Sequence, residues 1–339
     1  MFDKKNILIT GGTGSFGKLF TKQTLKKFNP KKIIIFSRDE MKHWNMAEQF
    51  RKFDKKGKIE YVIGDVRDKE RLHRVVDGVD FIVHAAATKI VPTAEYNPFE
   101  CIKTNINGAM NVIEVAIEQK VQKIVALSTD KACNPINLYG ATKLASDKLF
   151  VAANVHTTNS SICFSVVRYG NVMGSRGSVI PFFQDRAKTG VLPITDERMT
   201  RFMISIEQAI KLVWHAFEDA IGGEIYVHKI PSMKITDIAY AIGGPDAKQK
   251  IIGIRSGEKI HEVMISEEDA LTTYEYKWYY KILPTLNKWH MDENRIKNGK
   301  KISKGFVYSS GSNQEWMSVD ELQHFLQSDN YLELQKFNF

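Results

Sequence analysis

The sequence is poor in cysteine, with three residues, Cys101, Cys133 and Cys163, in a chain of 339. Their number is odd and their spacing matches no metal site. Secreted disulfide scaffolds and zinc modules carry paired or clustered cysteines instead. We therefore expect a protein of the reducing cytoplasm that has no metal centre.

Long hydrophobic runs are also missing. No apolar stretch reaches the length of a bilayer-spanning helix, and the first predicted strand begins too close to Met1 to leave room for a signal peptide. The net charge is +9, yet no basic run is interleaved with aromatic residues and no nucleic-acid motif is present. We expect no membrane and no nucleic-acid partner. The spread positive charge attracts an anionic nucleotide or has no specific role.

Alternating strand and helix patterns fill the first half of the chain. Hydrophobic residues make up 43% of the sequence, enough for a large core and two lobes. The predicted strands are residues 6–10, 32–36, 60–63, 81–84, 123–127 and 164–168, with helices notably at 18–28 and 95–118. This pattern predicts an α/β fold with a Rossmann-type, doubly wound parallel sheet.

The regularity weakens after residue 170. We expect residues 1–170 to form a cofactor-binding domain, to which later segments return, and 171–339 to form mostly a smaller substrate-binding lobe and a C-terminal tail. In the second part, 196–202 is predicted as a polar surface loop, 255–259 as the start of a helix and 319–327 as the last helix.

A glycine-rich loop follows the first strand. Gly11, Gly14 and Gly17 have the spacing that lets a backbone approach a pyrophosphate at a helix N-terminus. Three glycines alone equally fit a structural turn. The strand before them, the helix after them and a downstream Tyr-x-x-x-Lys favour a dinucleotide site, in which Thr13, Ser15 and Phe16 also take part.

The end of the second strand bears on the choice of cofactor. Ser37, Arg38 and Asp39 stand there, with Lys42 about one helical turn further on. An acidic residue at this place binds the adenosine ribose, whereas an arginine accommodates a 2′-phosphate. Because Arg38 comes first and Lys42 can join it, we predict NADP rather than NAD. The alternative is that both are solvated surface charges.

Small and polar residues follow the other strands, where ligands of such sheets bind. The candidates for cofactor contacts are Asp65, Val66, Ala85, Ala86 and Ala87. The alanines either allow close approach of the cofactor or simply pack. Asp65 either binds the adenine amine or caps the helix beginning at Asp68.

An unusual set of titratable residues follows the fifth strand. Tyr139 and Lys143 are four residues apart and share a helix face. The lysine ammonium is expected to favour the phenolate, so that the tyrosine acts as a base on a sugar hydroxyl. Asp130 and Lys131 provide a further acid and base, which an alcohol dehydrogenase does not need and a dehydratase does.

These motifs together carry a family resemblance. The stretches 9–17 (ITGGTGSFG), 63–68 (IGDVRD), 95–98 (EYNP), 127–135 (LSTDKACNP), 138–148 (LYGATKLASDK), 168–172 and 193–196 resemble extended short-chain dehydrogenases/reductases. Within that group the chain resembles the inverting UDP-N-acetylglucosamine 4,6-dehydratases over nearly its whole length. Retaining sugar-nucleotide dehydratases have Asp-Glu where this chain has Asp130-Lys131, and a neighbouring inverting group from capsule synthesis lacks the tyrosine. The family usually has a Lys-His pair after the alanines; this chain keeps the lysine as Lys89 but has Ile90 in place of the histidine.

The resemblance implies a mechanism and a catalytic set. That set is Thr129, Asp130, Lys131, Tyr139 and Lys143. Tyr139 with Lys143 oxidises C4 together with tightly bound NADP, which is regenerated each turnover. Neutral Lys131, its pKa lowered by burial and by Lys143, takes the C5 proton. Protonated Asp130 releases the 6-hydroxyl as water, and reprotonation from the opposite face inverts C5. The product enters pseudaminic acid-type sugar synthesis, and the enzyme is a homo-oligomer.

Substrate contacts are assigned partly from the resemblance and partly from side-chain chemistry. The candidates are Lys89, Asn171, Ser178, Val179, Thr195, Met199, Arg201, Arg255 and Glu258. Asn171 is expected at the diphosphate or sugar, and the arginines at the UDP phosphates and ribose. Thr195 and Met199 are expected at the uracil. The alternative for each arginine is a surface salt bridge, and Glu258 either orients Arg255 or is a first-turn helix acid. His84 and His261 are expected to pack or cap.

Two other functions stay open at this point. A sugar-nucleotide epimerase or reductase would share the fold, but a C4 epimerase needs no base at C5. A non-catalytic NADP-binding regulator would also share it, but has no use for an activated tyrosine. The dehydratase is therefore the leading hypothesis.

Overall fold

The computed structural model describes residues 1–156 and 162–338. Its strands are β1 (Asn6–Thr10), β2 (Lys32–Ser37), β3 (Ile59–Ile63), β4 (Phe81–His84), β5 (Lys123–Leu127), β6 (Cys163–Arg168), β7 (Asn171–Val172), β8 (Val191–Ile194), β9 (Thr200–Ile204), β10 (Ile225–His228), β11 (Ser232–Lys234), β12 (Lys248–Ile251), β13 (Val263–Ile265), β14 (Thr273–Glu275), β15 (Tyr279–Ile282), β16 (Lys300–Lys301) and β17 (Tyr308–Ser309).

Helices alternate with these strands. They are α1 (Ser15–Lys27), α2 (Glu40–Phe50), α3 (Lys69–Val76), α4 (Val91–Tyr96), α5 (Pro98–Ile102), α6 (Gly108–Glu118), α7 (Leu138–Ala153), α8 (Val179–Ala187), α9 (Ile206–Asp219), α10 (Ile235–Gly243), α11 (Glu267–Ala270), α12 (Glu293–Ile296), α13 (Val319–Gln327) and α14 (Asp329–Asn338). Short π- or 3₁₀-helical turns lie at Lys103–Asn107, Asp130–Ala132 and Leu286–Met291.

The central sheet has the order β16-β14-β15-β10-β6-β5-β4-β1-β2-β3. The seven strands from β3 to β10 pair in parallel, and β15, β14 and β16 continue the sheet antiparallel. The strand order reverses direction next to β1, the place where ligands of doubly wound sheets bind. The predicted α/β fold with a doubly wound parallel sheet is confirmed.

The second half of the chain contributes to both parts of the molecule. Strands β10, β14, β15 and β16 extend the central sheet. A separate hydrophobic core of α8, β8, β9, α10, α13 and α14 residues packs beside it. This smaller core carries the loops that face the carboxyl ends of the parallel strands.

Most predicted strands agree with the structure to within one residue, and three other local predictions were wrong. The helix expected over 95–118 is broken, because Pro98 begins α5 and Asn97 before it has non-helical angles (φ −127°, ψ 60°). Residues 255–259 form no helix, since Gly257 has a φ of +78°. The loop expected at 196–202 ends in the largely buried strand β9. The last helix, Val319–Gln327, is as predicted.

Candidate active site

The glycine loop has the shape of a pyrophosphate cradle. Gly11 has a φ of +65°, and a Cβ there would lie 2.9 Å from the backbone of Ala86. A Cβ on Gly17 would collide with the backbone of Gly12. Gly14 stands at the N-cap of α1 without a side-chain cap, so the first N–H groups of the helix are available to an anion. These residues therefore fit a dinucleotide.

The helix starts earlier than predicted, at Ser15 rather than Lys18. Ser15 Oγ accepts a hydrogen bond from the Arg176 backbone at 3.3 Å, and Phe16 stacks on Phe20 with ring centroids 5.5 Å apart. Arg176 belongs to the segment before α8 and also receives a bond on its carbonyl from Lys89 Nζ at 3.1 Å. The smaller lobe thus touches the glycine loop directly.

Ser37 and the residues after it lie at the carboxyl end of β2, beside the glycine loop. Ser37 Oγ shares hydrogen bonds of 2.9 Å with Thr13 and with His43. Asp39 caps α2 by accepting from the Lys42 backbone at 3.0 Å and pairs with the Lys42 ammonium at 3.1 Å. Arg38 is mostly exposed, so its guanidinium is accessible to a ligand.

Asp65 is not a helix cap. Asp68 fills that role by accepting from the Arg71 backbone, so the capping alternative for Asp65 was wrong. Asp65 instead accepts from the backbone and side chain of Arg67, which hold its pKa below the usual range although burial opposes this. Arg38 lies 3.7 Å from the same carboxylate.

The residues after β3 and β4 differ in accessibility. Val66 is buried, and its carbonyl accepts from Asn111 at 2.9 Å. Ala85 and Ala86 donate their N–H groups to Thr10 Oγ1 at 3.2 Å each. Ala87 is exposed. Ala85 and Ala86 therefore lie directly against the glycine loop at Gly11.

His84, the last residue of β4, packs as predicted. It is buried and its Nδ1 lies 2.9 Å from Thr10 Oγ1. Burial and the nearby ammonium of Lys143 lower the pKa of His84 to about 3. His261 likewise makes a structural bond of 2.8 Å with Thr200.

Tyr139 and Lys143 lie in the first turns of α7, which Asn137 caps by accepting from Gly140 at 2.7 Å. Both side chains are buried. Burial raises the pKa of Tyr139 to about 12, although Lys131 and a hydrogen bond with Thr129 act in the opposite direction. Lys131 is the ammonium that opposes this rise most, and the expectation that Lys143 favours the phenolate stays a prediction.

Asp130, Lys131 and Glu262 form a group that we call the buried trio, in which two buried carboxylates flank Lys131, whose side chain is 23% exposed. Lys131 Nζ lies 3.1 Å from Asp130 Oδ1 and 3.0 Å from Glu262 Oε1. Burial would lower the pKa of Lys131, but the two carboxylates outweigh it and raise the pKa above the ordinary value. The predicted lowering of this pKa was wrong, because Glu262 was not foreseen. Lys131 is an ammonium in this arrangement.

Asp130 presents its two oxygens differently. Oδ1 accepts from Thr129 at 2.9 Å and from Lys131, whereas Oδ2 is buried without a hydrogen-bond partner among the described residues. Burial raises the pKa of Asp130, and Glu262 adds to the effect. A protonated Asp130 therefore has its free oxygen available for donation.

A second set of linked, buried ion pairs involves Asp147 of helix α7. Asp147 accepts from Ser128 at 2.6 Å and lies 3.6 Å from Arg168. Arg168 in turn pairs with Asp269 at 2.9 Å. The charge of Asp147 also acts on Lys143 and opposes the lowering of its pKa by burial. Asp147 and Arg168 lie within the stretches 138–148 and 168–172 that carry the family resemblance, but, like Glu262, they were not predicted as site residues.

The candidate substrate residues fall into buried and accessible groups. Met199 is buried in the smaller core and its sulfur accepts from Thr195 at 3.0 Å. Arg201 donates to the carbonyls of Thr200 and Ile260, and its Nε lies 4.0 Å from Glu262. These contacts fix Arg201 beside the buried trio.

Other candidates remain accessible. Arg255 is half exposed and lies 3.5 Å from Glu258, which can orient it. Because no helix forms here, the first-turn role for Glu258 was wrong. Asn171 is half-buried in β7, while Ser178 is the N-cap residue of α8 and Val179 its first residue.

Neither a metal cluster nor a membrane helix is found within the described ranges. No group of three or more His, Cys, Asp or Glu side chains there is arranged to hold a metal ion. No helix in that part of the chain has the length and apolarity needed to cross a bilayer.

Comparison with known proteins identifies the family. The family described as polysaccharide biosynthesis protein matches residues 7–284. The inverting UDP-N-acetylglucosamine 4,6-dehydratase of Campylobacter jejuni subsp. jejuni serotype O:2 is 57% identical over 329 residues, which cover 95% of this chain and 97% of that protein. The UDP-glucose 4-epimerase of Rickettsia canadensis is 39% identical over 341 residues, with 98% of each chain covered.

A solved structure agrees with this assignment. The X-ray structure of Pen from Bacillus thuringiensis is similar with a TM-score of 0.86 and 37% identity, covering 96% of this chain and 98% of that one. Family, sequence and fold comparisons therefore converge on one conclusion. The chain belongs to the polysaccharide biosynthesis protein family and, within it, to the family of inverting UDP-N-acetylglucosamine 4,6-dehydratases.

Proposed function

We propose that the protein catalyses NADP-dependent 4,6-dehydration of UDP-N-acetylglucosamine with inversion at C5. The product is UDP-2-acetamido-2,6-dideoxy-β-L-arabino-hexos-4-ulose, which begins the synthesis of a pseudaminic acid-type sugar. The observation that carries this proposal is the buried trio, in which Lys131 lies within 3.1 Å of Asp130 and 3.0 Å of Glu262. Oxidation at C4 alone would need none of these groups.

The cofactor would lie between the glycine loop and the alanines after β4. The backbone N–H groups at the start of α1 would bind its pyrophosphate. Arg38 and Lys42, both accessible, would bind the 2′-phosphate that distinguishes NADP from NAD. When bound, the nicotinamide accepts a hydride from C4 and returns one to C6, so no external reductant is consumed.

Tyr139 would act on the sugar 4-hydroxyl. Its phenol must lose a proton to serve as the base, and burial alone opposes this. Lys131 and Thr129 already favour the phenolate, and the positive charge of an oxidised nicotinamide would add to their effect. Lys143, on which the charge of Asp147 acts, lies one helical turn away and would bind the cofactor ribose and support the tyrosine.

Asp130 would be the acid that releases water from C6. Two hydrogen bonds occupy Oδ1, so the proton of the neutral acid resides on the partner-free Oδ2. Lys131 would take the C5 proton once it has become a neutral amine. General acid and base steps of this kind each contribute about 10²–10⁴ in rate.

The substrate would lie across the carboxyl ends of the strands, below the smaller lobe. Arg255 is an accessible guanidinium of that lobe that would suit the diphosphate, and Glu258 would orient it. Lys89, Asn171, Ser178 and Val179 border the same opening. Thr195 and Met199 would support the uracil pocket from below, since Met199 is buried.

An epimerase is the competing function, because the Rickettsia canadensis relative carries that name at 39% identity. One incubation distinguishes the alternatives. The NADP-loaded protein is mixed with UDP-N-acetylglucosamine in deuterated water, and the products are followed by NMR. A 6-deoxy-4-keto sugar with deuterium at C5 supports the dehydratase. The C4 epimer with its 6-hydroxyl retained contradicts it, as does unchanged substrate.

A further inference from the structure

Glu262 is the one member of the buried trio to which the proposed mechanism gives no task. It lies just before β13, far in sequence from Asp130 and Lys131, and is only 2% exposed. Its Oε1 accepts from the Lys131 ammonium at 3.0 Å, and Oε2 is buried without a hydrogen-bond partner among the described residues. Burying a carboxylate so deeply is costly unless its charge is compensated.

The charges of the trio itself balance when one of its two carboxylates is protonated. If both carboxylates were ionised, Lys131 would leave the buried group with a net negative charge. If Asp130 is protonated, the Lys131 ammonium and the Glu262 carboxylate form a neutral group. Arg201 Nε, at 4.0 Å from Glu262 Oε1, further favours the ionised state of Glu262. Glu262 is therefore the counter-ion of Lys131, while Asp130 remains the acid.

We propose that Glu262 is a positioning residue that holds Lys131 and takes its proton, so that the amine can act on C5 while Asp130 keeps its own proton. This inference rests on the proposed dehydratase function. The proton moves along the existing 3.0 Å hydrogen bond: an N–H bond of Lys131 breaks and an O–H bond forms on Glu262. The freed nitrogen lone pair then takes the C5 proton, and the C–H electron pair passes into the enolate of the 4-keto sugar.

The trio gives the Lys131 proton a bonded acceptor, although Lys131 and Arg201 outweigh burial and hold the pKa of Glu262 below its ordinary value in the resting site. The transfer converts an ion pair into two neutral groups, so the buried site has no net charge before or after it. Without Glu262, Lys131 would have only Asp130 as a partner, and these two would form an ion pair. Asp130 would then lose the proton that it needs for release of water. Removal of Glu262 therefore impairs both base and acid, but leaves the C4 step to Tyr139 and Lys143.

The test uses the NADP-loaded protein and the variant Glu262→Gln, which keeps the side-chain size and an acceptor oxygen. Three quantities are measured: reduced cofactor formed in a single turnover with UDP-N-acetylglucosamine, deuterium entering C5, and formation of the dehydrated product. We expect kcat for product and the C5 exchange rate to fall roughly 100-fold. Cofactor reduction and the KM for substrate should change less than about twofold.

Glu224→Gln is the matched control, because Glu224 is equally buried and pairs with Arg295 at 2.7 Å, away from the trio. It should lower thermal stability as Glu262→Gln does, with all three kinetic quantities unchanged. Glu262→Asp keeps the carboxylate, and its C5 exchange rate should be at least about tenfold higher than that of Glu262→Gln. If Glu262→Gln does not fold, lowered C5 exchange at unchanged cofactor reduction in Glu262→Asp supports the proposal.

Other outcomes would overturn it. Wild-type C5 exchange in Glu262→Gln would mean that another group takes the Lys131 proton. Parallel loss of cofactor reduction and C5 exchange in either variant would mean that Glu262 only maintains the structure. A wild-type protein that forms no 4-keto sugar at all would refute the proposed function itself, and this inference with it, before any variant is compared.

Discussion

Asn137 donates from Nδ2 to the carbonyl of Gly257 at 2.7 Å, while its Oδ1 caps the catalytic helix α7. A Cβ on Gly257 would lie 2.9 Å from the Cβ of Asn137. The loop that carries Arg255 is thus fixed to the first turn of the helix that carries Tyr139. In the proposed mode of substrate binding, this contact would set the distance between the nucleotide-binding and reacting ends of the site.

Arg255→Ala should therefore affect substrate binding and not cofactor binding. Loss of charge-assisted bonds to a diphosphate, worth about 1.5–3 kcal/mol, should raise the KM for the UDP-sugar roughly 10- to 100-fold. Steady-state kinetics and a direct NADP titration check this. Arg186→Ala, which removes an exposed arginine of α8, should change neither quantity. A weakened NADP affinity would instead assign Arg255 to the cofactor half of the site.

The parallel strands could be predicted from the sequence, whereas the loop that carries Arg255 and Gly257 could not. Strands β1, β4 and β5 lie where the apolar runs predicted them, because a buried parallel strand is a local pattern. The helix predicted at 255–259 failed because the positive φ of Gly257 depends on its contact with α7. Local patterns carry no information about such a distant partner.

The same distinction applies within the active site. The motif residues Tyr139, Lys143, Asp130 and Lys131 were found from their spacing alone, and the structure brings them together. Glu262 was missed, since a lone glutamate in a loop has no signature. Because Glu262 was left out, the sequence analysis expected the pKa of Lys131 to be lowered, whereas the structure raises it. A pKa depends on all neighbouring charges, so one unseen carboxylate was sufficient.

Arg38→Ala tests the cofactor preference. The exposed guanidinium of Arg38 lies at the end of β2, where a 2′-phosphate would bind. We expect the affinity for NADP to fall about tenfold or more and the affinity for NAD to change less than about twofold. Arg51→Ala, at the other end of α2, is the control. An equal loss for both cofactors in fluorescence titrations would show that Arg38 does not contact the phosphate.

His84 should make stability depend on pH. Its pKa is about 3 in the folded protein, against an ordinary value of 6.5. The folded state therefore holds it neutral, while the unfolded chain binds a proton below pH 6.5. Its contribution to stability is complete above that pH and is lost as the pH falls towards 3, at about 1.4 kcal/mol per pH unit.

His84→Gln isolates this contribution. In chemical denaturation between pH 4 and 7, the unfolding free energy of the wild type should fall more steeply with decreasing pH than that of the variant. The exposed His324→Gln should show the wild-type slope. Identical slopes for all three proteins would mean that His84 is protonated in the folded state.

Lys131→Ala is the sharpest test of the mechanism. Tyr139 and Lys143 remain, so the variant should bind UDP-N-acetylglucosamine, oxidise C4 and accumulate reduced cofactor in a single turnover. With no amine, C5 deuterium exchange and water release should stop.

The variant also leaves Asp130 and Glu262 buried without their cation. Breaking a buried ion pair in this way costs about 3–5 kcal/mol, and the cost should shrink as the pH falls and the carboxylates take up protons. Lys131→Met keeps more of the side-chain volume and should show the same kinetic block, which separates loss of the amine from loss of packing. Continued C5 exchange in both variants would end the assignment of Lys131 as the base and leave it as the structural cation between two carboxylates.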